Sequence, residues 1–109
     1  MNNHQKYLDS YFHFYKVLNY FETKYNRIFQ INYHKLILYK NDLERLPEDF
    51  GNLENLTELD ISVNELKSMP KSINKLKNLR IANLGRNNFS TEEKVRIQSE
   101  INSTSINWN

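Results

Sequence analysis

Leu56-x-x-Leu59-x-Ile61-x-x-Asn64-x-Leu66, running on into Met69-Pro70-x-x-Ile73-x-x-Leu76, is the stretch on which the fold turns. It lies between two near copies of itself. Upstream, Tyr33-x-x-Leu36-x-Leu38-x-x-Asn41-x-Leu43 is followed by Leu46-Pro47-x-x-Phe50-x-x-Leu53. Downstream, Leu79-x-x-Ala82-x-Leu84-x-x-Asn87-x-Phe89 opens a third unit before the pattern departs. Asn41, Asn64 and Asn87 mark the period, 23 residues from one to the next. Self-similarity at a fixed offset of this length is the mark of units that bury their apolar faces only by stacking on one another.

The spacing within a unit dictates its local geometry. Leucines two apart, such as Leu36 and Leu38, share one face of a short strand, and the residues between them face the other way. The asparagine three residues later suits a place where the chain leaves the strand, because its amide can bond backbone groups of the turn. Stacked units turn those amides into a ladder. Pro47 and Pro70 fix φ and remove a donor, which predicts an extended or turn-like return limb and not a long helix. About three units is the lower limit at which such a stack is stable, and this chain sits at that limit.

These residues resemble the leucine-rich repeat family, in its 23-residue class with Leu-Pro-x-x-Ile in the return limb, as found in short bacterial proteins. The resemblance covers roughly residues 33 to 89. It implies an α/β solenoid with three short parallel strands near 35 to 39, 58 to 62 and 81 to 85, and a cap at each end of the stack.

The flanks fit that implication. Residues 3 to 26 contain neither Gly nor Pro. At 100° per residue, Tyr7, Leu8, Tyr11, Phe14, Tyr15, Leu18, Phe21 and Tyr25 fall within about 140° of arc. This predicts a long amphipathic helix, read as an N-terminal cap or as a partner or self-association surface, since Phe12, Val17 and Tyr20 lie off the main arc. Residues 27 to 32 read as a short strand or a loop. At the other end, Ser90-Thr91-Glu92-Glu93 is a capping-box pattern that starts a helix over about 91 to 101. Ile106 and Trp108 alternate with polar residues 24 places after Ala82 and Leu84, which suggests a last strand. The helix and strand together resemble the terminal cap of some bacterial leucine-rich repeat proteins, without the proline usual before that strand. The organisation is thus one domain over 1 to 109, with an N-terminal cap (1 to 32), the repeats (33 to 89) and a C-terminal cap (90 to 109).

Composition bounds the function. A chain of 109 residues with 26% charged residues and a net charge of +2 has one modest core and no dense basic run of the kind that phosphate-backbone binding needs, so nucleic acid is not an expected partner. With no cysteine there is no thiolate nucleophile and no Cys-based zinc site. His4, His13 and His34 lack a second ligand at helical spacing, so no metal is expected. Gly51 and Gly85 stand too far apart for a phosphate-cradling loop. The acidic pairs Asp42/Glu44 and Glu92/Glu93 read as a solvated turn and a helix start. No cofactor and no catalysis are expected. The first residues lack the apolar run of a secretory signal and no stretch is long enough to span a bilayer, from which a cytoplasmic location is expected, with no membrane partner.

What remains is the exposed side of the strands, which the family uses to bind partners. Aligning the repeats places Lys35, Glu58 and Ile81 in one row, Ile37, Asp60 and Asn83 in a second, and Tyr39, Ser62 and Gly85 in a third, with Lys40, Val63 and Arg86 at the rim. The expected partner-binding residues are Lys35, Ile37, Tyr39, Lys40, Glu58, Asp60, Ile81, Asn83 and Arg86. Tyr39, Ile37, Ile81 and Arg86 stand foremost, because aromatic, aliphatic and Arg side chains exposed together are the usual anchors. The expected function is a non-catalytic interaction module or scaffold for another protein. The rivals are a structural unit that forms homo-dimers through the N-terminal helix or a sheet edge, and a regulatory subunit of an enzyme on another chain.

Overall fold

The computed structural model describes residues 30, 31 and 34 to 109, the last range with its side chains. The helix expected over 3 to 26, and Tyr33, lie outside the described residues. Strands β1 (Gln30–Ile31), β2 (Lys35–Ile37), β3 (Glu58–Asp60), β4 (Ile81–Asn83) and β5 (Ser105–Asn107) form one sheet in chain order. β1 runs antiparallel to β2, with Gln30 opposite Ile37, and the remaining pairs are parallel. Four parallel strands therefore stand where the repeats alone implied three, the fourth being the segment around Ile106. Its register, Ala82 opposite Ile106, keeps the 24-residue offset read from the sequence.

The regular strands are shorter than the spans expected from the leucine pattern. Each expected span is followed by a bend at Lys40, Val63 or Arg86, which take left-handed backbone angles of φ 55°, 56° and 54°. A positive φ ends the extended run. Backbone bonds between units nonetheless persist up to that bend, from Leu38 N to Asp60 O at 2.7 Å and from Val63 N to Gly85 O at 3.0 Å.

Each return limb is a single 3₁₀ turn, Glu48–Asn52 after Pro47 and Lys71–Lys75 after Pro70. Both prolines hold extended angles (φ −64° and −62°) that set the path before the turn. The two turns pack against each other. A Cβ on Gly51 would stand 1.8 Å from the Ser72 carbonyl oxygen, so only glycine permits this approach. The Gly51 N–H also donates to Ser72 Oγ at 2.8 Å.

Between sheet and return limbs lies one continuous core. It holds Leu36, Leu38, Leu43, Leu46, Phe50 and Leu53 from the first unit and, from the second, Leu56 together with the six equivalents Leu59, Ile61, Leu66, Met69, Ile73 and Leu76. The third unit adds Leu79, Ala82, Leu84 and Phe89, and then its return limb becomes a helix, α1 (Thr91–Glu100). Ile97 and Ile101 are buried against the stack, while Ile106 and Trp108 lean on the same core.

The capping box forms only by half. Ser90 Oγ accepts the Glu93 N–H at 3.1 Å, but the Glu93 carboxylate turns away from Ser90 and accepts the Met69 N–H at 2.9 Å. Arg96, one turn on, bonds that carboxylate at 2.6 Å and donates to the Met69 carbonyl at 2.7 Å. A backbone pair left open beside Pro70 in the preceding return limb is thus met from α1, and tertiary demand overrides the local pattern.

Candidate functional site: the exposed strand face

Alternation along each strand decides what this face displays. Leu36, Leu59, Ala82 and Ile106 point into the molecule, and their neighbours point out. Register then aligns the neighbours: Lys35, Glu58, Ile81 and Ser105 in one row, and Ile37, Asp60, Asn83 and Asn107 in the next. Tyr39 lies two residues beyond β2 and is 52% exposed, and Ile81 is 45% exposed. Lys40 and Arg86 stand exposed on the left-handed bends at the rim. Seven of the nine expected residues therefore share one side of the sheet by alternation, and Lys40 and Arg86 stand on the bends that follow it.

The asparagine ladder fixes the third row from behind. Asn41 Nδ2 donates to the Tyr39 carbonyl at 3.0 Å, and Asn64 and Asn87 donate in the same way to Ser62 and Gly85, each at 3.2 Å. Each amide thus sets the bend that presents the residue two places before it.

The polar groups of the face are unequally committed. Lys35 Nζ meets Glu58 Oε2 at 3.3 Å, with both side chains nearly half exposed, so the pair is worth about 0 to 1 kcal/mol. Asp60 Oδ1 accepts the Ser62 N–H at 3.0 Å and the Ser62 hydroxyl at 2.5 Å. Lys35, Glu58 and Asp60, with Ile37, Ile81 and Asn83, line a shallow cavity of about 130 Å³.

A larger depression, about 450 Å³, lies on the return-limb side around Arg45, Glu48, Ser68, Met69, Lys71, Glu93 and Arg96. There the Arg96 hydrogen bond, against the opposing effect of partial burial and with help from the Met69 N–H, holds the Glu93 carboxyl below the usual carboxylate range. Both of its most enclosed charged groups are bonded to each other and to Met69, so the arrangement joins helix to repeat.

The sequence reading had not assigned Ser62, whose hydroxyl orients Asp60, to the binding set, and had not placed Ser105 and Asn107 on the face. The alternation of Ile106 and Trp108 carried the signal for the latter two, since their neighbours must point outward. Among the described residues there is no cluster of three or more His, Asp or Glu side chains able to hold a metal ion, and no helix long and apolar enough to cross a membrane. His34 Nδ1 lies 3.1 Å from the Asn55 carbonyl, a link between units.

Residues 55 to 76 match the family model described as Leucine Rich Repeat. Among solved structures, a leucine-rich repeat protein of Leptospira interrogans is 36% identical and superposes with a TM-score of 0.68 over 69% of this chain. The match covers 19% of that protein, so the chain spans about a fifth of its length. No curated protein matches.

Proposed function

Since this chain is a leucine-rich repeat protein, and such proteins generally bind other proteins, we propose that it binds a protein partner through the exposed face of β2 to β5 and has no catalytic role. The observation that carries this reading is the grouping of Ile37, Tyr39 and Ile81 on one side of the sheet, two of them exposed large hydrophobics, among Lys35, Glu58, Asp60 and Asn83. The apolar side chains of β2 and β4 flank the carboxylates of β3, and aliphatic and aromatic anchors beside polar groups are what protein interfaces use. Lys40 and Arg86 form its rim. We read residues 1 to 32 and 90 to 109 as caps and the whole chain as one folding unit.

The test compares what the parent chain and an Ile37→Lys/Ile81→Lys variant retain from a cell extract. A protein held by the parent and lost by a variant that melts at the parent's temperature supports the face. Identical retention by both chains counts against it. Solution mass addresses the rival reading, in which the chain pairs with itself: a dimer that persists in the double variant favours self-association elsewhere on the molecule.

A further inference from the structure

We propose that the small cavity on the strand face receives a basic side chain, Arg or Lys, from a short segment of the partner, with Asp60 as its acceptor. The proposal deepens the reading of that face as a binding surface and rests on it.

Four observations converge. First, the central strand β3 brings Glu58 and Asp60 to one side, about 7 Å apart along the strand. Lys35 already occupies Glu58 at 3.3 Å, so of one cation and two carboxylates in the lining, one negative charge is left over. Second, Asp60 is oriented for an outside ligand. Both of its bonds, to Ser62 N–H and Oγ, fall on Oδ1, and Oδ2 has no partner among the described residues. Third, Asn83 stands beside Asp60 in register, about 5 Å away across the sheet, and its amide likewise has no partner among the described residues. A guanidinium with five donors, or an ammonium with three, can bond an acid and an amide oxygen together. Fourth, Ile37 and Ile81 wall the cavity, which suits the methylene stem of a long basic side chain whose head is charged.

Size sets the class of occupant. At about 130 Å³ the cavity takes one side chain, well short of the ~300 to 1,000 Å³ of small-molecule sites. An acidic side chain would meet an uncompensated carboxylate, and an aliphatic one would leave Oδ2 and the Asn83 amide buried without partners.

The probe is a phage-displayed library of random twelve-residue peptides, selected on the intact chain and then measured by fluorescence anisotropy as single peptides. Peptides that bind the face are those lost on Ile81→Glu. They should share Arg or Lys at one position. Replacing that residue by its neutral counterpart, citrulline or norleucine, should weaken binding about tenfold or more. Asp60→Asn, which keeps the acceptor for Ser62 and should melt like the parent, should weaken binding to the same degree, and the two changes together should cost little beyond either one. Face-binding peptides with no shared basic residue, or ones indifferent to Asp60→Asn, overturn the proposal while leaving the face as a binding surface. A library that yields no face-binding peptide also overturns it.

Discussion

Asn64 holds Asn41. Its Oδ1 accepts the backbone N–H groups of Asn41 and Leu43 at 2.9 Å each, and its Nδ2 donates to Leu38, Ile61 and Ser62 carbonyls at 3.0, 2.9 and 3.2 Å. One side chain thereby joins the backbones of two units at the bend. Asn87 repeats the arrangement on Leu66, Ile61, Leu84 and Gly85. Asn64→Ala strips partners from buried backbone donors, so it should destabilise by about 1 to 3 kcal/mol. Chemical denaturation measures this, and a midpoint equal to the parent's would deny the ladder its role.

Val63 is the least suited residue for its backbone. A β-branched side chain at φ 56° is a steric outlier, with a left-handed residue costing about 1 to 2 kcal/mol. Asn tolerates that region, so Val63→Asn should stabilise by about 1 kcal/mol, visible as a raised melting temperature. A lowered one would mean that packing of the half-buried valine outweighs its backbone strain.

The join between α1 and the second return limb is pH-sensitive. Glu93 has a folded-state pKa lowered chiefly by its hydrogen bond to Arg96. A lowered carboxyl pKa contributes stability that is present above the unfolded value, about 4.3, and is lost as pH falls through the folded value. Stability of the parent should therefore decline below about pH 4.3, and Glu93→Gln should flatten that part of the profile while lowering stability at neutral pH. Parallel profiles for the two chains between pH 3 and 7 would contradict this.

The repeat frame made most of this legible. The inward leucines, the asparagine bend and the proline-led return limbs follow from spacing alone, and Leu36, Leu59, Ala82 and the amides of Asn41, Asn64 and Asn87 stand where periodicity puts them. The rows of the exposed strand face followed with them, since register in stacked parallel strands is the repeat itself. What escaped the sequence depended on contacts between distant residues. The left-handed turn at Val63 runs against that residue's own preference and is imposed by Asn64 and the stack. The destination of the Glu93 carboxylate was set by an open backbone N–H at Met69, 24 residues away, which the local capping pattern could not reveal. The commitment of Asp60 to Ser62, two residues on, has the spacing of an Asx turn, but aligning the repeats placed the two residues in separate rows and gave no sign that they bond each other.

The central claim is that a protein partner seats on the strand face, and photo-crosslinking tests it most directly. A photoreactive amino acid replaces Tyr39 in one chain and Lys75, on the return limb, in another. The account predicts that with the partner bound the chain labelled at position 39 gives a crosslinked product and the chain labelled at position 75 gives little or none. Crosslinking from position 75 with none from position 39 would place the partner on the opposite side of the solenoid and contradict it.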